Sequence, residues 1–478
     1  MSTWLILLAV VYVSLLIFLS LLSKKKTRTA KDFIFAGSDI GIVLGFLTFA
    51  ATLFSTFTLM GMPDFFREHG VGAWIFLAVS DGAMVFLIIW FGFHLRQKVA
   101  EKGFNGISGL LNTCFGNKWA GYVYFFGAFI FLIPYVAIQI RGVAIFLNAT
   151  FPDVLPVWTW AFIIVTIMLI YSEVGGLKAI MYADTMQGLI LITVVWIIAL
   201  NCIGHFGSLG NMMEAVEKTN DKLLSVPGPK GLFNFQFLLA SLLAILFLPV
   251  TQPQLTTRMV VMRDLKATHR MAIGVGVFAN LIIFPTVVLG FYGAVKYPDL
   301  KTAEFISHVL LFDQSGIVAA AAIIGLIAAA LSTSDSQIFA LGTELRSLLK
   351  GGERIVMRRT KIAMVLFGLA SLIFSVLSSD QLVLLARVSF AGTSLMAPMI
   401  FSAVLLKDPP GKVIPLMTFL GLLLFILSLL GWFPETVLKI RLDLFLLIVL
   451  FFIAIFVKLV NQLIKSNLEP MMHSGKNM

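Results

Sequence analysis

Ser332, Thr333, Ser334, Asp335 and Ser336 form an unbroken polar run inside an otherwise apolar stretch, "AAALSTSDSQ". On a helix, at 100° per residue, Ser332, Asp335 and Ser336 share one face, with Thr333 alongside and Ala329 one turn earlier. Hydroxyls together with a carboxylate are hard oxygen ligands, matched to a small hard cation rather than to a soft metal. The competing reading is structural, with the hydroxyls bonded back to a carbonyl four residues earlier or joining two helices. A carboxylate at membrane depth costs at least about 2.5 kcal/mol on insertion scales, which calls for a partner or a task. A second candidate is "FLTFAATLFSTFTLMGMPDFF", with a hydroxyl-rich middle followed by Gly61 and Pro63. If its helix unwinds around Ala51 to Phe54, free carbonyls there complete a cation shell, and Ser55, Thr56 and Thr58 face a central cavity. In a third, "YSEVGGLKAIMYADTMQG", Asp184 lies about one and a half turns past Lys178. That acid either pairs with Lys178, caps a helix or joins an ion site. Asp81, Arg141 and Arg387 are further charges at membrane depth, the two arginines toward the outside, where they snorkel or meet a ligand.

These residues need long apolar helices to hold them, and composition supplies those. Of 478 residues, 59% are hydrophobic and 12% charged, with mean hydropathy +0.99, which is a polytopic membrane protein. Spans are expected near 3–22, 40–66, 71–93, 119–148, 157–173, 180–203, 233–255, 270–295, 315–348, 361–378, 381–405, 413–433 and 440–464, thirteen in all. Alternate loops carry 24 and 8 of the 35 basic residues, with three inside spans. This positive-inside bias puts the N-terminus outside and the C-terminus in the cytoplasm. The net charge of +11 is thereby explained by topology, and nucleic acid is not an expected partner. The first apolar run lacks a preceding basic region and a cleavage site, so it reads as a retained helix. Cys114 and Cys202 imply neither disulfide nor metal site, and the six histidines fall in loops or at span ends. With no nucleophile–base pair and no phosphate-cradling glycine loop, an enzyme is not expected.

Gly61 and Pro63 in the second span, and Pro249 and Pro253 in the seventh, interrupt helices at membrane depth. Freed backbone groups are tolerated there only where protein or a polar cavity satisfies them. Two interrupted spans five apart predict an all-α fold of two inverted five-helix repeats, 36–205 and 230–407. A helix and loop over 1–35 precede them, and two helices and a short tail over 408–478 follow.

The segments "YSEVGGLKA" with "YADTMQG", "FAATLFSTFTLMGMP", "QPQLTTRMVVMRDLK" and "AAALSTSDSQ" resemble, in order, those of the sodium:solute symporter family. The resemblance covers roughly residues 5 to 410. It implies the leucine-transporter (LeuT) fold, location in the cell membrane and sodium-driven uptake of a small solute by alternating access. It places one sodium on the carbonyls of Ala51, Phe54 and Ala329 and the hydroxyls of Ser332 and Thr333, and a possible second ion at Asp184, Ser332, Asp335 and Ser336. Two carboxylates there also permit a shared proton. Positions matching family solute contacts are Ser55, Thr56, Thr58, Tyr135, Gln139, Ile245, Leu248 and Pro249. The last three are apolar where sugar-carrying relatives are polar or aromatic, and Tyr135 stands where a sialic-acid carrier needs arginine. An amino acid, a monocarboxylate or a pantothenate-like acid is therefore expected, with sodium as coupling ion and no other cofactor. A proton-coupled carrier and a transporter-like solute sensor are the alternatives.

Overall fold

The computed structural model describes residues 2–24, 34–174, 176–407, 409 and 412–474. The chain is α-helical apart from a two-stranded hairpin, Thr436–Val437 with Ile440–Arg441. Among the described residues, nine helices are long and apolar enough to cross a membrane, and a bent pair makes ten. The other apolar segments are shorter helices, among them Val157–Ile170, Phe235–Leu246 and Val413–Leu429. Gly175, first of the glycine pair in the signature, and loop residues 25–33 lie outside the described residues.

The elements around the site are α1 (Ser2–Lys24), α2 (Ile42–Leu53), α3 (Met62–His69), α4 (Ser80–Lys102), α5 (Lys118–Thr150) and α6 (Gly176–Gly204). Then follow α7 (Phe235–Leu246), α8 (Pro253–Val260), α9 (Gly316–Leu348), α10 (Leu382–Ser394) and α11 (Leu442–Ser474). The second span breaks between α2 and α3 and bends by 54°. The break falls at the far end of the expected stretch from Ala51 to Phe54. Helix α2 runs on to Leu53, and Phe54 alone turns extended, with φ −98° and ψ 126°. A π-helical turn, Phe57–Gly61, then leads into α3. Neither proline nor glycine sits at the joint: Gly61 and Pro63 fall further on, where the π-helical turn passes into α3.

The seventh span breaks at Gln252, with φ −95° and ψ 122°. Here the cause is local, because the residue before a proline is pushed out of the helical region and Pro253 follows. The span then continues as α8 to Val260. This corrects the expected boundary at 255, and it brings Arg258 out of the expected inner loop and into a buried helix. The start of the first broken span and the end of the second are tied by main chain, Ile40 N–H donating to the Val261 carbonyl (3.2 Å) and Arg263 N–H to that of Ile40 (3.0 Å). The Arg96 guanidinium donates to the carbonyls of Met259, Val260, Met262 and Arg263 at the same place. Just beyond, Asp264 caps the next helix. The Ala267 N–H it accepts (2.6 Å) holds its carboxyl below the usual carboxylate range.

Helix α6 packs against α2 and α9, and α1 packs against α6 and α9. Gly188, in the "YADTMQG" segment, lets α6 approach the break. A Cβ there would lie 3.0 Å from that of Ala51.

Candidate functional site

A helix that stops at membrane depth leaves its last carbonyls without amide partners, and each must be satisfied by something else. At the end of α2 three consecutive carbonyls are met by side chains from other helices. Ser332 Oγ of α9 donates to Ala51 (3.1 Å), Thr333 Oγ1 of α9 to Thr52 (3.3 Å) and Tyr135 Oη of α5 to Leu53 (3.0 Å). The structure thus brings together Ala51, Ser332 and Thr333 of the expected sodium shell, and adds Thr52 and Tyr135.

One turn along α9 and across to α6 is a buried polar cluster centred on Asp184, 1% exposed. Its Oδ2 accepts from Thr48 Oγ1 (2.7 Å) and from Arg258 Nη2 (2.7 Å), and its Oδ1 lies 2.7 Å from Ser332 Oγ, whose single proton it shares with the Ala51 carbonyl. Arg258 is also 1% exposed, and it donates to Thr48 Oγ1 (3.0 Å), the Gln254 carbonyl (2.9 Å) and Ser336 Oγ (2.8 Å). Asp184 is therefore paired with Arg258, 74 residues away, and not with the neighbouring Lys178. Two members of the expected second ion site, Asp184 and Ser336, are both held by this guanidinium. The third, Asp335, is 1% exposed with no hydrogen-bond partner on either carboxylate oxygen. Tyr12 of α1 reaches the same region and accepts from Gln187 Nε2 (2.8 Å).

The expected solute contacts divide into two groups. Ser55 Oγ accepts from Phe57 N–H (3.3 Å), Thr58 Oγ1 from Ser55 N–H (3.1 Å) and Gln139 Oε1 from Thr56 N–H (3.1 Å). These side chains cap the start of the half-helix that follows the break, satisfying donors the break would otherwise orphan. Thr56 Oγ1 is buried without a partner. Ile245, Leu248 and Pro249 are buried around the start of the second break. Phe390 of α10 joins the first group, its ring 5.0 Å from that of Tyr135 and 6.4 Å from that of Phe57.

Both arginines at membrane depth are engaged. Arg141 pairs with Asp380 (2.9 Å) and donates to the Ser375 carbonyl (3.1 Å). Arg387 pairs with Asp443 of α11, donates to Ser241 Oγ (2.7 Å) and lies over the Phe237 ring.

Sequence reasoning missed Arg258, Thr48 and Thr52. Thr48 and Thr52 are four apart on α2 and so share a face, which was a readable signal. Arg258 stood in the quoted "QPQLTTR" segment and was obscured by its polar neighbours.

Residues 33–407 match the profile of the sodium:solute symporter family. The sodium/pantothenate symporter of Haemophilus influenzae is 25% identical over 327 residues, 65% of each chain. That of Escherichia coli is 24% identical over 284 residues, 58% of this chain and 57% of its own. The high-affinity proline transporter PutP of Bacillus subtilis is 22% identical over 333 residues, 67% of this chain and 68% of its own. The chain thus spans less than two thirds of the length of either pantothenate symporter. Among solved structures, a Na+-coupled sialic acid symporter matches with TM-score 0.76 at 14% identity, over 95% of this chain and 96% of its own. A nucleobase-cation-symport-1 family transporter matches with TM-score 0.58 at 11% identity, over 90% and 95%. These structural likenesses show the fold.

Proposed function

The chain belongs to the sodium:solute symporter family, and from that premise we propose that it is a secondary transporter, not an enzyme, carrying a small organic solute inward with sodium. The solute class is an amino acid, a monocarboxylate or a pantothenate-like acid, and sodium is the coupling ion with no other cofactor. The reading includes thirteen spans, with the N-terminus outside, the C-terminus cytoplasmic and the two repeats at 36–205 and 230–407. The observation that carries it is the run of freed carbonyls at Ala51 and Thr52 facing the Ser332 and Thr333 hydroxyls. Sodium sits on the carbonyls of Ala51, Phe54 and Ala329 and on those two hydroxyls, whose oxygens turn from donating to coordinating.

That shell contains only neutral ligands, and a cation in a low-dielectric interior needs a counter-charge nearby. Asp184 cannot supply it, because Arg258 already neutralises it. Asp335, unpartnered and one turn beyond Ser332, can. We therefore read the stoichiometry as one sodium per cycle, with Arg258 as the resident cation of the expected second site and Asp335 as the charge that sodium answers. Sodium then favours the outward-open state by binding it better, and so orders the solute pocket bounded by Thr56, Tyr135, Gln139 and Leu248.

The test is uptake into proteoliposomes under an inward sodium gradient, with potassium as control. Ser332→Ala is expected to abolish sodium-driven uptake. Uptake that ignores sodium and persists in Ser332→Ala would sink the reading.

A further inference from the structure

Six carboxylates are buried among the described residues: Asp64, Asp81, Asp184, Asp335, Glu344 and Asp443. Three are answered by arginine, Asp64 by Arg67, Asp184 by Arg258 and Asp443 by Arg387. Glu344 accepts the amides of Ile107 (2.9 Å) and Ser108 (2.6 Å) at the start of a short helix. Asp335 is assigned above to the sodium. Asp81 remains, 5% exposed and with no hydrogen bond or ion pair.

Its position says what it faces. Asp81, Met84, Ile88, Phe91 and Leu95 are the buried stripe of α4, spaced three and four apart on one face. That helix packs against all three pieces of the broken seventh span, including the turn that carries Leu248 and Pro249. On the other side, the carboxylate is close enough to the Tyr135 phenol for their charges to interact. Asp81 therefore belongs to the solute side of the site, between the helix that caps the first break and the apolar start of the second. The Tyr135 ring meets that of Phe390 edge to face at 5.0 Å, and Phe390 meets Phe57 in the same way at 6.4 Å.

The remaining buried arginines are committed elsewhere, Arg67, Arg258 and Arg387 to the carboxylates named above and Arg141, half-buried, to Asp380. None answers Asp81. A lone carboxylate at membrane depth is expensive, and a cation brought by the solute removes that cost. A carboxylate near a tyrosine ring suits an organic ammonium, through charge pairing with the acid and cation–π attraction to the ring. A solute bearing only a carboxylate meets like charge there instead.

We propose that Asp81 receives the ammonium group of the transported solute, which is therefore an amino acid or another organic ammonium and not a monocarboxylate or a pantothenate-like acid. This rests on the symport reading above and sharpens it.

The experiment uses the full chain in proteoliposomes under an inward sodium gradient. The probes are L-proline, 4-aminobutyrate and choline, set against butyrate, lactate and pantothenate. At least one ammonium compound is expected to be carried, and Asp81→Asn is expected to raise its KM at least tenfold, with Asp81→Glu retaining part of the uptake. The stabilisation of the purified protein by sodium alone, read as a thermal shift against potassium, is expected to survive in Asp81→Asn, which also shows that the variant is folded. Sodium-driven uptake confined to the ammonium-free compounds overturns the proposal. So does an Asp81→Asn variant that carries the ammonium compound with unchanged KM, or a panel in which no ammonium compound is bound or carried. In each of those cases a preserved sodium shift leaves the symport reading standing. Loss of the sodium shift in the unsubstituted chain overturns the symport reading and this inference with it.

Discussion

The two broken spans bend at joints of nearly the same backbone shape, Phe54 at φ −98°, ψ 126° and Gln252 at φ −95°, ψ 122°. In both, the carbonyl just before the joint accepts a tyrosine hydroxyl from α5, Leu53 from Tyr135 and Thr251 from Tyr124, each at 3.0 Å. Eleven residues separate the tyrosines, which puts them on one face about 16 Å apart along the helix. The surroundings differ. At the second joint the Pro249 carbonyl, freed because Pro253 has no N–H, is met by the span's own Thr256 hydroxyl (2.9 Å), the Gln252 carbonyl accepts the amides of Leu255 and Thr256, and Gln254 bonds Gln252 (2.6 Å). At the first joint the freed carbonyls meet hydroxyls from a distant helix, with a buried acid and arginine beyond. A break alone does not make an ion site. Besides the tyrosines, the hydroxyl at the second joint belongs to the same span, whereas at the first the serine and threonine hydroxyls come from another helix and could open around the proposed sodium.

Substitutions at the two joints can break or sharpen that contrast. The largest effect is expected from Arg258→Ala, which strands Asp184 without a cation and lowers stability by about 3–5 kcal/mol. Thermal unfolding in detergent reads it, and the pair Asp184→Asn with Arg258→Gln should recover much of the loss. No single residue at the second joint should cost as much. Next comes Ser332→Ala, expected to raise the sodium concentration for half-maximal thermal stabilisation at least tenfold, or about 1.4 kcal/mol. Thr256→Val at the second joint should leave that concentration unchanged, and equal shifts in the two variants would erase the distinction. Tyr135→Phe and Tyr124→Phe should each cost about 1 kcal/mol of stability, while only Tyr135→Phe moves the sodium response. The smallest effect is expected for Gly188→Ala. Its methyl presses on Ala51 and should weaken sodium binding by about 1 kcal/mol or less, measured in the same titration.

Much of this arrangement was legible before any coordinates. The polar run on α9 and the two interrupted spans stand out because polar and helix-breaking residues are costly in an apolar environment. Boundaries at the joints were harder to read. The hydroxyl-rich stretch suggested unwinding around Ala51 to Phe54, and the helix persists to Leu53 because outside hydroxyls satisfy the carbonyls it frees. Arg258 was read as loop because α8 is short and polar along "PQLTTR", and hydropathy cannot separate a buried half-helix lining a polar cluster from an exposed turn. Its pairing with Asp184 spans 74 residues and follows only from how α6 and α8 pack. Solute positions such as Ser55, Thr58 and Gln139 came from the family resemblance, and in the structure these side chains cap the half-helix that follows the break.

The main-chain bonds between Ile40 and the end of α8 have a mechanical consequence. Joined there, and held by Arg96, the tied arms of the two broken spans form a single lever. Neither arm can swing away from the centre alone. Phe54 and Gln252 then serve as paired hinges, one residue each, and a movement at this tied end reaches both in the same stroke. The two joints are thereby geared together, so that an ion bound at the proposed shell of one hinge would set the angle at the other.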